Sequence, residues 1–488
     1  MKRREFLKQA ALATASALPA WGAEAFQRGG LERKGASQKV IVVGAGLAGL
    51  AAGYELTQAG HDVTILEAQA RPGGRVHTLR EQFSDGLYAE AGAMNVFDTH
   101  DWTLNYIRLL GLTLDPAVPS KLASLLYARG RRVVVAQGQA VAYPLSLTPD
   151  EQRLGRRGMW ERYVAPVLDE VGDYDAPGWP SDTLKKKYDR VTFFEFLRER
   201  GASHDAASLI GTGWPGGLGD GVRSASALVL LREAAHRAKV KQNYYIRGGS
   251  DLLPRAFASR LSDRIRYGAA VLGFEQDARQ VRVAYLQAGV RNSLAADRLI
   301  CAVPFTVLRR MDVSSRFSAE KRDAIEQLPY TSVARTYLQT RRKFWLDEGL
   351  SGAAATDEPY TTLFDGAPNQ PGSRGILEAY LAGAPARRVT ALREGERVAS
   401  ALGLAEKLLP RVRENFEVGA SKCWDEDVWA RGAYAWYRPG QMSALLPHVA
   451  RAEGRIHFAG EHASSLFGWM QGALESGNRA AREVNDAS

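Results

Sequence analysis

Residues 40–49 of this chain read VIVVGAGLAG, a short apolar run, mostly β-branched, followed by three closely spaced glycines. The run predicts a buried parallel strand, and the glycines Gly44, Gly46 and Gly49 allow a tight turn into a helix. We expect that helix over about residues 47–59. Its free N–H groups and dipole suit the pyrophosphate of a dinucleotide, which the second glycine lets approach closely. The stretch therefore predicts a Rossmann-like dinucleotide-binding unit.

A second predicted strand, Val63–Leu66, ends in an acid. Glu67 follows this strand, eighteen residues after Gly49. A carboxylate at this place accepts hydrogen bonds from an adenosine ribose, which favours FAD or NAD and disfavours NADP. Residues 71–75 then read RPGGR and bring two glycines and the guanidinium of Arg75 to a place where they can contact a diphosphate.

A second motif lies about 390 residues further along the chain. Residues 456–461 read IHFAGE, and Gly468-Trp469-Met470 follows. This pattern predicts a strand, a glycine turn and a final helix over about residues 472–485. The N-terminus of such a helix can stabilise the negative charge of a reduced flavin. The two motifs in this order predict a flavin oxidoreductase.

Length and composition indicate a large enzyme with two or three domains. The chain has 488 residues, of which 45% are apolar, so it exceeds a single hydrophobic core. The net charge is +10, but lysines and arginines are mixed with acids along the chain, which predicts a solvated surface and no nucleic-acid partner. Two cysteines build no disulfide framework, and the dispersed histidines predict no metal site.

The N-terminus resembles an export signal. Residues 2–8 read KRREFLK, which resembles the twin-arginine motif, and a mild apolar stretch and small residues follow up to Ala25. The apolar stretch is too short to span a membrane, and no later segment reaches about 20 apolar residues. We expect a periplasmic or secreted enzyme that acquires its cofactor in the cytoplasm, because this pathway exports folded proteins.

The whole chain resembles the flavin-dependent amine oxidases, the family of monoamine, polyamine and L-amino-acid oxidases. The resemblance covers about residues 39–484, and Ala89–Met94 and Trp469 are most similar to bacterial L-amino-acid oxidases. The further segments that carry it are Gly248–Pro254, Gly432-Ala433-Tyr434, Phe458–Glu461 and Gly468–Ala473.

The resemblance implies noncovalent FAD, since Ala433 stands where monoamine oxidases carry the cysteine joined to the flavin. It also implies the roles of individual cofactor-binding residues. These are Leu47 and Ala48 at the pyrophosphate, Glu67 and Ala68 at the ribose, Arg75 at the diphosphate, Val271 at the adenine, Gly92, Ala93 and Met94 beside the flavin ring, and Glu461, Gly468, Trp469, Met470, Gln471 and Ala473 around the ribityl chain and ring. Gly74, Trp424 and Gly460 are further cofactor-binding residues.

The same resemblance places Tyr434 and Trp469 on either side of the substrate amine. Two rings across a narrow slot order a neutral amine and disfavour bulky groups beside its α-carbon. The implied reaction is oxidative deamination of an L-amino acid to a 2-oxo acid, with release of ammonia and hydrogen peroxide, and it needs no external carboxylate or histidine base.

Two departures from the family pattern concern the substrate. Many L-amino-acid oxidases carry an arginine for the substrate carboxylate where this chain has Asn95, and many members carry a lysine where it has Arg335. Arg335 could hold the water that the lysine holds, or supply the missing positive charge.

A tyrosine that assists the carboxylate is expected near residues 363–364, where none is present, although Tyr360 is close. Asn95 favours the alternative of an oxidase of mono- or polyamines. A flavin-bound protein without enzymatic activity and a dehydrogenase that reduces a quinone also remain open.

The predicted fold class is α/β, with a Rossmann-like FAD domain of the two-dinucleotide-binding flavoprotein type, a mixed-sheet (α+β) substrate domain and a helical insertion. Its partners are the amino acid or amine substrate and oxygen, and a homodimer is expected by analogy with the family. The predicted divisions are a signal peptide at 1–26, a leader at 27–37, FAD-domain parts at 38–98, 240–300 and 422–488, a largely helical insertion at 99–239 and a substrate-binding domain at 301–421.

Overall fold

The computed structural model describes residues 31–176, 178–313, 317–357 and 362–487. The predicted signal peptide, residues 1–26, lies outside the described residues, as do residues 27–30 of the predicted leader and Tyr360.

The strands of the described residues are numbered here in chain order. They are β1 Lys39–Val43, β2 Asp62–Leu66, β3 Thr78–Leu79, β4 Ala89–Glu90, β5 Val96–Phe97, β6 Leu114–Pro116, β7 Ala123–Ala128, β8 Arg131–Val135, β9 Asn243–Ile246, β10 Ile265–Arg266, β11 Ala270–Gln276, β12 Val281–Gln287, β13 Val290–Ala296, β14 Arg298–Cys301, β15 Asp312–Val313, β16 Tyr330–Thr331, β17 Val333–Thr340, β18 Leu350–Thr356, β19 Thr362–Asp365, β20 Gly375–Ala382, β21 Phe416–Cys423, β22 Tyr434–Ala435 and β23 Ile456–Phe458.

The α-helices of the same residues are numbered in the same way. They are α1 Leu47–Gln58, α2 Asp101–Leu109, α3 Pro149–Tyr163, α4 Asp182–Leu184, α5 Phe193–Glu199, α6 His204–Ile210, α7 Ala227–Lys239, α8 Leu252–Arg260, α9 Phe305–Leu308, α10 Ala319–Gln327, α11 Ala384–Thr390, α12 Glu394–Leu408, α13 Val412–Asn415, α14 Gln441–Val449 and α15 Met470–Asp486.

The first motif lies in a parallel sheet with the strand order β10-β2-β1-β14-β23. Val40–Val43 on the central strand are at most 2% exposed, and residues of α1 and α15 share a hydrophobic core with this strand. The strands come from three separate stretches of the chain, 39–66, 265–301 and 456–458. Because parallel strands end at the same edge, the segments after β1, β2, β14 and β23 meet there. The prediction of an α/β fold with a Rossmann-like unit is confirmed.

The second large sheet is mixed, with the strand order β21-β17-β20-β19-β18-β7-β8. Its neighbouring strands are antiparallel, except that β18 and β7 run parallel. In the register of β17 and β20, Arg335 lies directly opposite Tyr380. Directly opposite residues share one face of a sheet, so this pair faces the same way.

The stretch predicted to be a helical insertion also contains strands. Helices α2 to α7 lie between residues 101 and 239, but β6, β7 and β8 occupy 114–135, and the last two form one edge of the mixed sheet. The Val133–Val135 run and the turn at Gly130, whose φ is 74°, favour a hairpin at this place.

Within this stretch, two helices of different type occupy residues 149–171. The α-helix starts at Pro149 behind a capping box of Thr148 and Glu151 and ends at Tyr163, and a 3-10 helix, Ala165–Val171, follows. Pro166 has no N–H to continue the α-helical hydrogen bonds, which accounts for the change from an α-helix to a 3-10 helix.

In the described residues no helix combines the length and apolar character that crossing a membrane requires.

Candidate active site

A cavity of about 470 Å³ joins the carboxyl edge of the parallel sheet to the mixed sheet. Most of the site residues predicted from the sequence line this cavity, but Gly49 and Gln471 do not. The predicted residues that line it are Gly44, Gly46, Leu47, Ala48, Glu67, Ala68, Gly74, Arg75, Gly92, Ala93, Met94, Asn95, Val271, Arg335, Trp424, Tyr434, Gly460, Glu461, Gly468, Trp469, Met470 and Ala473.

Helix α1 begins at the cavity, and no side chain caps its first turn. Its N-cap, Gly46, lines the cavity, and a Cβ added there would meet no atom within 4 Å. A Cβ added to Gly49 would lie 2.0 Å from the carbonyl oxygen of Gly44. Gly46 therefore leaves room for a ligand at a helix N-terminus, whereas Gly49 allows the helix to pack on β1.

Glu67 follows β2 directly and lies at the end of the cavity where the sequence predicts the adenosine. Its carboxylate oxygens accept hydrogen bonds from the backbone N–H groups of Ala45, at 2.7 Å, and Gln69, at 2.8 Å. Burial raises the pKa of Glu67, and these two hydrogen bonds oppose the increase. The strand end thus holds the acid beside the glycine turn, where the sequence pattern requires it.

Arg75 and Glu461 connect the two motifs. One guanidinium nitrogen of Arg75 donates to Glu461 Oε1 at 2.6 Å and to the carbonyl oxygen of Ala433 at 2.8 Å. The other carboxylate oxygen of Glu461 accepts from the N–H of Gly468 at 2.7 Å. This ion pair fixes the loop before α15 against the segment that contains Tyr434.

The wall formed by residues 92–94 is held by close backbone packing. A Cβ on Gly92 would lie 1.8 Å from the carbonyl oxygen of Arg75. The indole nitrogen of Trp424 donates to the carbonyl oxygen of Ala91 at 2.8 Å. Trp424 therefore positions the segment that leads to Ala93 and Met94.

Helix α15 starts at the cavity, two residues earlier than the sequence predicts. Trp469 is its N-cap, and no side chain caps the first turn. The side chain of Gln471 turns away from the cavity: it donates to Asp101 and accepts from the N–H of Thr103 at 3.1 Å. Gln471 thus joins α15 to α2 through its side chain, and only its backbone remains available for the predicted cofactor role.

Tyr434 and Trp469 line the part of the cavity where the sequence predicts the substrate, called the substrate end below, and their polar atoms are hydrogen-bonded. The Tyr434 hydroxyl donates to the carbonyl oxygen of Gly217 at 2.5 Å and lies 2.8 Å from the Tyr380 hydroxyl. The indole nitrogen of Trp469 donates to Glu233 Oε2 at 3.1 Å. A Cβ on Gly468 would lie 3.8 Å from the Tyr434 ring, so the two aromatic residues are neighbours across this glycine.

Arg335 and Asn95 lie on the same cavity and have protein partners. Arg335 donates to the carbonyl oxygen of Glu90 at 2.8 Å and lies 3.3 Å from Glu378 Oε1. The side-chain oxygen of Asn95 accepts from Asn243 Nδ2 at 2.8 Å. The Arg335 guanidinium therefore already has protein partners, one of them the buried acid Glu378.

The chain matches a family model described as flavin containing amine oxidoreductase over residues 47–485. The chain belongs to that family.

Among its relatives is YobN of Bacillus subtilis, provisionally classed as an L-amino-acid oxidase, which is 34% identical over 94% of this chain and 97% of its own length. The L-amino-acid oxidase of the snake Demansia vestigiata is 28% identical over 94% and 89%. Two solved structures share the fold. A triple variant of putrescine oxidase has a TM-score of 0.81 and 24% identity, with 93% of this chain and 99% of that chain covered. Cyclohexylamine oxidase from Brevibacterium oxydans IH-35A has a TM-score of 0.78 and 22% identity, with the same coverage.

This amine oxidoreductase is an FAD enzyme, and its residues fit the cofactor. The space in front of Gly46 and the uncapped start of α1 match a diphosphate. The buried carboxylate of Glu67 suits a ribose, and the uncapped start of α15 offers N–H groups at the other end. The two free cysteines of the described residues, Cys301 and Cys423, are both buried and do not line the cavity.

Sequence reasoning missed four residues around the substrate end of this oxidoreductase. Tyr380 lies opposite Thr362 in the register of β19 and β20, so it supplies a hydroxyl beside the place where a tyrosine near 363–364 was expected. Glu233 and Arg237 are four residues apart on α7, a spacing that indicates a helical ion pair but not which way it faces. Glu378 is buried behind Arg335.

The two carboxylates around Arg335 give the enzyme a pH-dependent stability. Burial raises the pKa of Glu378 from 4.5 to about 7, and Arg335 opposes this only in part; burial likewise raises the pKa of Glu90 to about 7. Each folded-state pKa is above its unfolded value, so the stabilisation is complete below about pH 4.5 and is lost as the pH rises through about 7. As the pH rises through this interval, wild type should therefore lose on the order of 3 kcal/mol of unfolding free energy at Glu378, and Glu378→Gln should not show this loss.

Urea unfolding of the holoenzyme at several pH values measures this difference. The exposed Glu199 provides a matched control, and Glu199→Gln should follow the wild-type profile. A constant offset between Glu378→Gln and wild type at every pH would contradict the prediction.

Proposed function

We propose that this chain is an exported L-amino-acid oxidase that converts L-amino acids to 2-oxo acids with release of ammonia and hydrogen peroxide. The observation that carries the proposal is the charge at the substrate end of the cavity. Three arginines line it, Arg232, Arg237 and Arg335, and one acid, Glu233. An excess of guanidinium suits a substrate with a carboxylate and opposes a polycation. The similarity to relatives named as L-amino-acid oxidases also supports this reading.

Bound FAD supplies the two-electron oxidation of the amine to an imine, and oxygen takes up the electrons as hydrogen peroxide. Water then hydrolyses the imine to the 2-oxo acid and ammonia. The protein's own contribution is to orient the substrate. The rings of Tyr434 and Trp469 hold a neutral amine between them, and their polar atoms are tied to Gly217 and Glu233. A fixed geometry of this kind lowers the entropic part of the barrier.

No acid–base residue is required for the first step if the amine arrives neutral. The buried histidines near Trp469 agree with this, since burial lowers the pKa of His236 to about 4 and that of His100 well below its usual range. These rings pack behind Trp469, with centroid distances of 6.1 and 5.2 Å. They therefore support the indole as neutral groups.

The alternative function is oxidation of amines that lack a carboxylate. Asn95 favours it, because an asparagine stands where many L-amino-acid oxidases carry an arginine. The solved structures of the same fold include enzymes named for putrescine and cyclohexylamine.

Peroxide release from the purified protein, measured with L-amino acids, D-amino acids and the matching decarboxylated amines, separates the two functions. We expect peroxide with L-amino acids, in amounts equal to the substrate consumed. Activity on the amines alone would support the alternative. Substrate consumption that depends on an added quinone, without peroxide, would identify a dehydrogenase.

We also propose export by the twin-arginine pathway, noncovalent FAD and a homodimer. The KRREFLK segment supports export, and Ala433 supports noncovalent attachment because it offers no thiol beside the cofactor site. Cell fractionation, release of FAD on denaturation and sedimentation analysis test these three properties.

A further inference from the structure

Three arginines line the substrate end of the cavity, and two of them are constrained by other groups. Arg335 is opposed by Glu378 at 3.3 Å, and one of its nitrogens donates to the carbonyl oxygen of Glu90. Arg232 is 1% exposed, and its guanidinium carbon lies 4.0 Å from the centroid of the Phe467 ring. A ring over the guanidinium and near-complete burial restrict access to Arg232. Arg237 is therefore the most accessible of the three arginines.

Arg237 is in the last turn of α7, and its side chain is 34% exposed. Its Nε donates to Glu233 Oε1 at 2.7 Å. Among the described residues, the two terminal nitrogens of Arg237 donate no hydrogen bond. Those nitrogens form the planar pair of donors that matches a carboxylate in bidentate fashion.

Aromatic faces hold the guanidinium of Arg237 beside the predicted amine site. Its central carbon lies 4.8 Å from the ring centroid of Trp214, 5.2 Å from that of Trp469 and 5.6 Å from that of Phe97. Trp469 is one of the two rings predicted to flank the amine. Contacts with ring faces leave the in-plane N–H groups of a guanidinium free to bind a ligand.

Asn95 lines the same cavity as Arg237. Phe97, which contacts Arg237, is two residues after Asn95. The Asn95 oxygen is occupied by Asn243, so its Nδ2 is the atom that can donate to a ligand. A cation on α7 thus faces the same cavity as the position where the family's arginine is absent.

Glu233 is the residue that positions these groups. One oxygen accepts from Arg237 and the other from the indole nitrogen of Trp469. Arg232 is 3.5 Å away, and the further acid Asp175 acts on Arg232 from a greater distance. Two guanidiniums therefore share one adjacent carboxylate, which leaves positive charge for a substrate.

We propose that Arg237 binds the substrate's α-carboxylate through its two terminal nitrogens, with Asn95 Nδ2 as a second donor. The inference rests on the proposed L-amino-acid oxidase function. In this chain the carboxylate would thus be bound by helix α7, whereas many L-amino-acid oxidases bind it with an arginine directly after Met94. The amine would lie between Tyr434 and Trp469, as the resemblance implies.

The test compares wild type with Arg237→Met and Arg237→Lys on L-phenylalanine, phenethylamine and L-glutamate. We expect Arg237→Met to raise KM for L-phenylalanine by about 30-fold or more, as for loss of a charged hydrogen-bonded pair. For phenethylamine, kcat/KM should change by less than about threefold, since no carboxylate is present. Arg237→Lys should recover part of the loss. FAD content and melting temperature report whether each variant is folded.

Two matched variants sharpen the result. Arg223 also packs on an aromatic ring, that of Phe194 at 3.5 Å, but does not line the cavity, so Arg223→Met should behave as wild type. The double variant Arg335→Met/Glu378→Gln removes the other candidate cation together with its buried partner. It should leave the preference for L-phenylalanine over phenethylamine in place.

Several outcomes overturn the inference. They are an unchanged KM for L-phenylalanine in Arg237→Met, equal losses on acid and amine, or selective loss in the double variant instead. A loss confined to L-glutamate would mean that Arg237 binds a side-chain carboxylate.

A wild-type enzyme active only on amines would contradict the proposed function, and calorimetry still tests the inference in that case. The probe is 3-phenylpropanoate, which has the carboxylate but no amine, and wild-type holoenzyme should bind it at least about tenfold more tightly than Arg237→Met. Equal affinities overturn the inference whatever the substrate.

Discussion

Gly46→Asp should lower the affinity of this enzyme for FAD by about 1000-fold or more. The aspartate would place a carboxylate in the open space before α1, where the diphosphate must lie. Repulsion between neighbouring like charges in a partly buried site, together with lost volume, exceeds about 4 kcal/mol, which corresponds to this factor. Purified protein should be colourless, and FAD titration by fluorescence quenching gives the affinity.

The substitution should leave the apoprotein folded. Gly46 has φ −69° and ψ 171°, which any residue adopts, and aspartate is a favoured N-cap. Gly395→Asp makes the same change in the first turn of α12, where a Cβ also meets no neighbour, and it should retain FAD. Normal FAD binding by Gly46→Asp would exclude this glycine from the cofactor site.

Trp469→Ala should reduce kcat/KM for an L-amino acid by about 100-fold. The change removes one of the two rings at the amine and frees Glu233 from its hydrogen bond with the indole nitrogen. Arg237 also loses one of its three ring contacts. Displacement of a substrate by about 1 Å from its reactive position is enough for a loss of this size. Steady-state peroxide assays, normalised to bound FAD, measure it.

Trp469→Phe distinguishes the contribution of the aromatic ring from that of the indole N–H. Phenylalanine keeps an aromatic face beside the amine but cannot donate to Glu233, so we expect a smaller loss of about tenfold. Equal activity of Trp469→Ala and wild type would mean that the amine binds elsewhere in the cavity.

The cofactor half of the site could be predicted because its motifs are local. A strand, a glycine turn and a helix form from contiguous residues, so Gly44, Gly46 and Glu67 were placed at the edge of the sheet by spacing alone. The same holds for Glu461 after β23. Gln471 shows the limit, since a position in a motif does not determine the direction of its side chain.

The substrate half depends on contacts between residues far apart in the chain. Tyr380 was missed because it reaches the cavity from β20, whereas the sequence directed attention to residues 363–364 on the neighbouring strand. Arg335 lines the cavity, but its partner Glu378 lies 43 residues further along the chain and meets it only through strand pairing.

The sequence by itself determined the dinucleotide fold, the order of the two motifs and the family resemblance, because each depends on short-range spacing. Only the tertiary structure decided which charges face the substrate. Helix α7 is largely buried on several sides, so its hydrophobic pattern does not identify the face that lines the cavity. Packing against residues 97, 214 and 469 holds Arg237 beside the predicted amine site, and such long-range packing is not encoded in any local pattern.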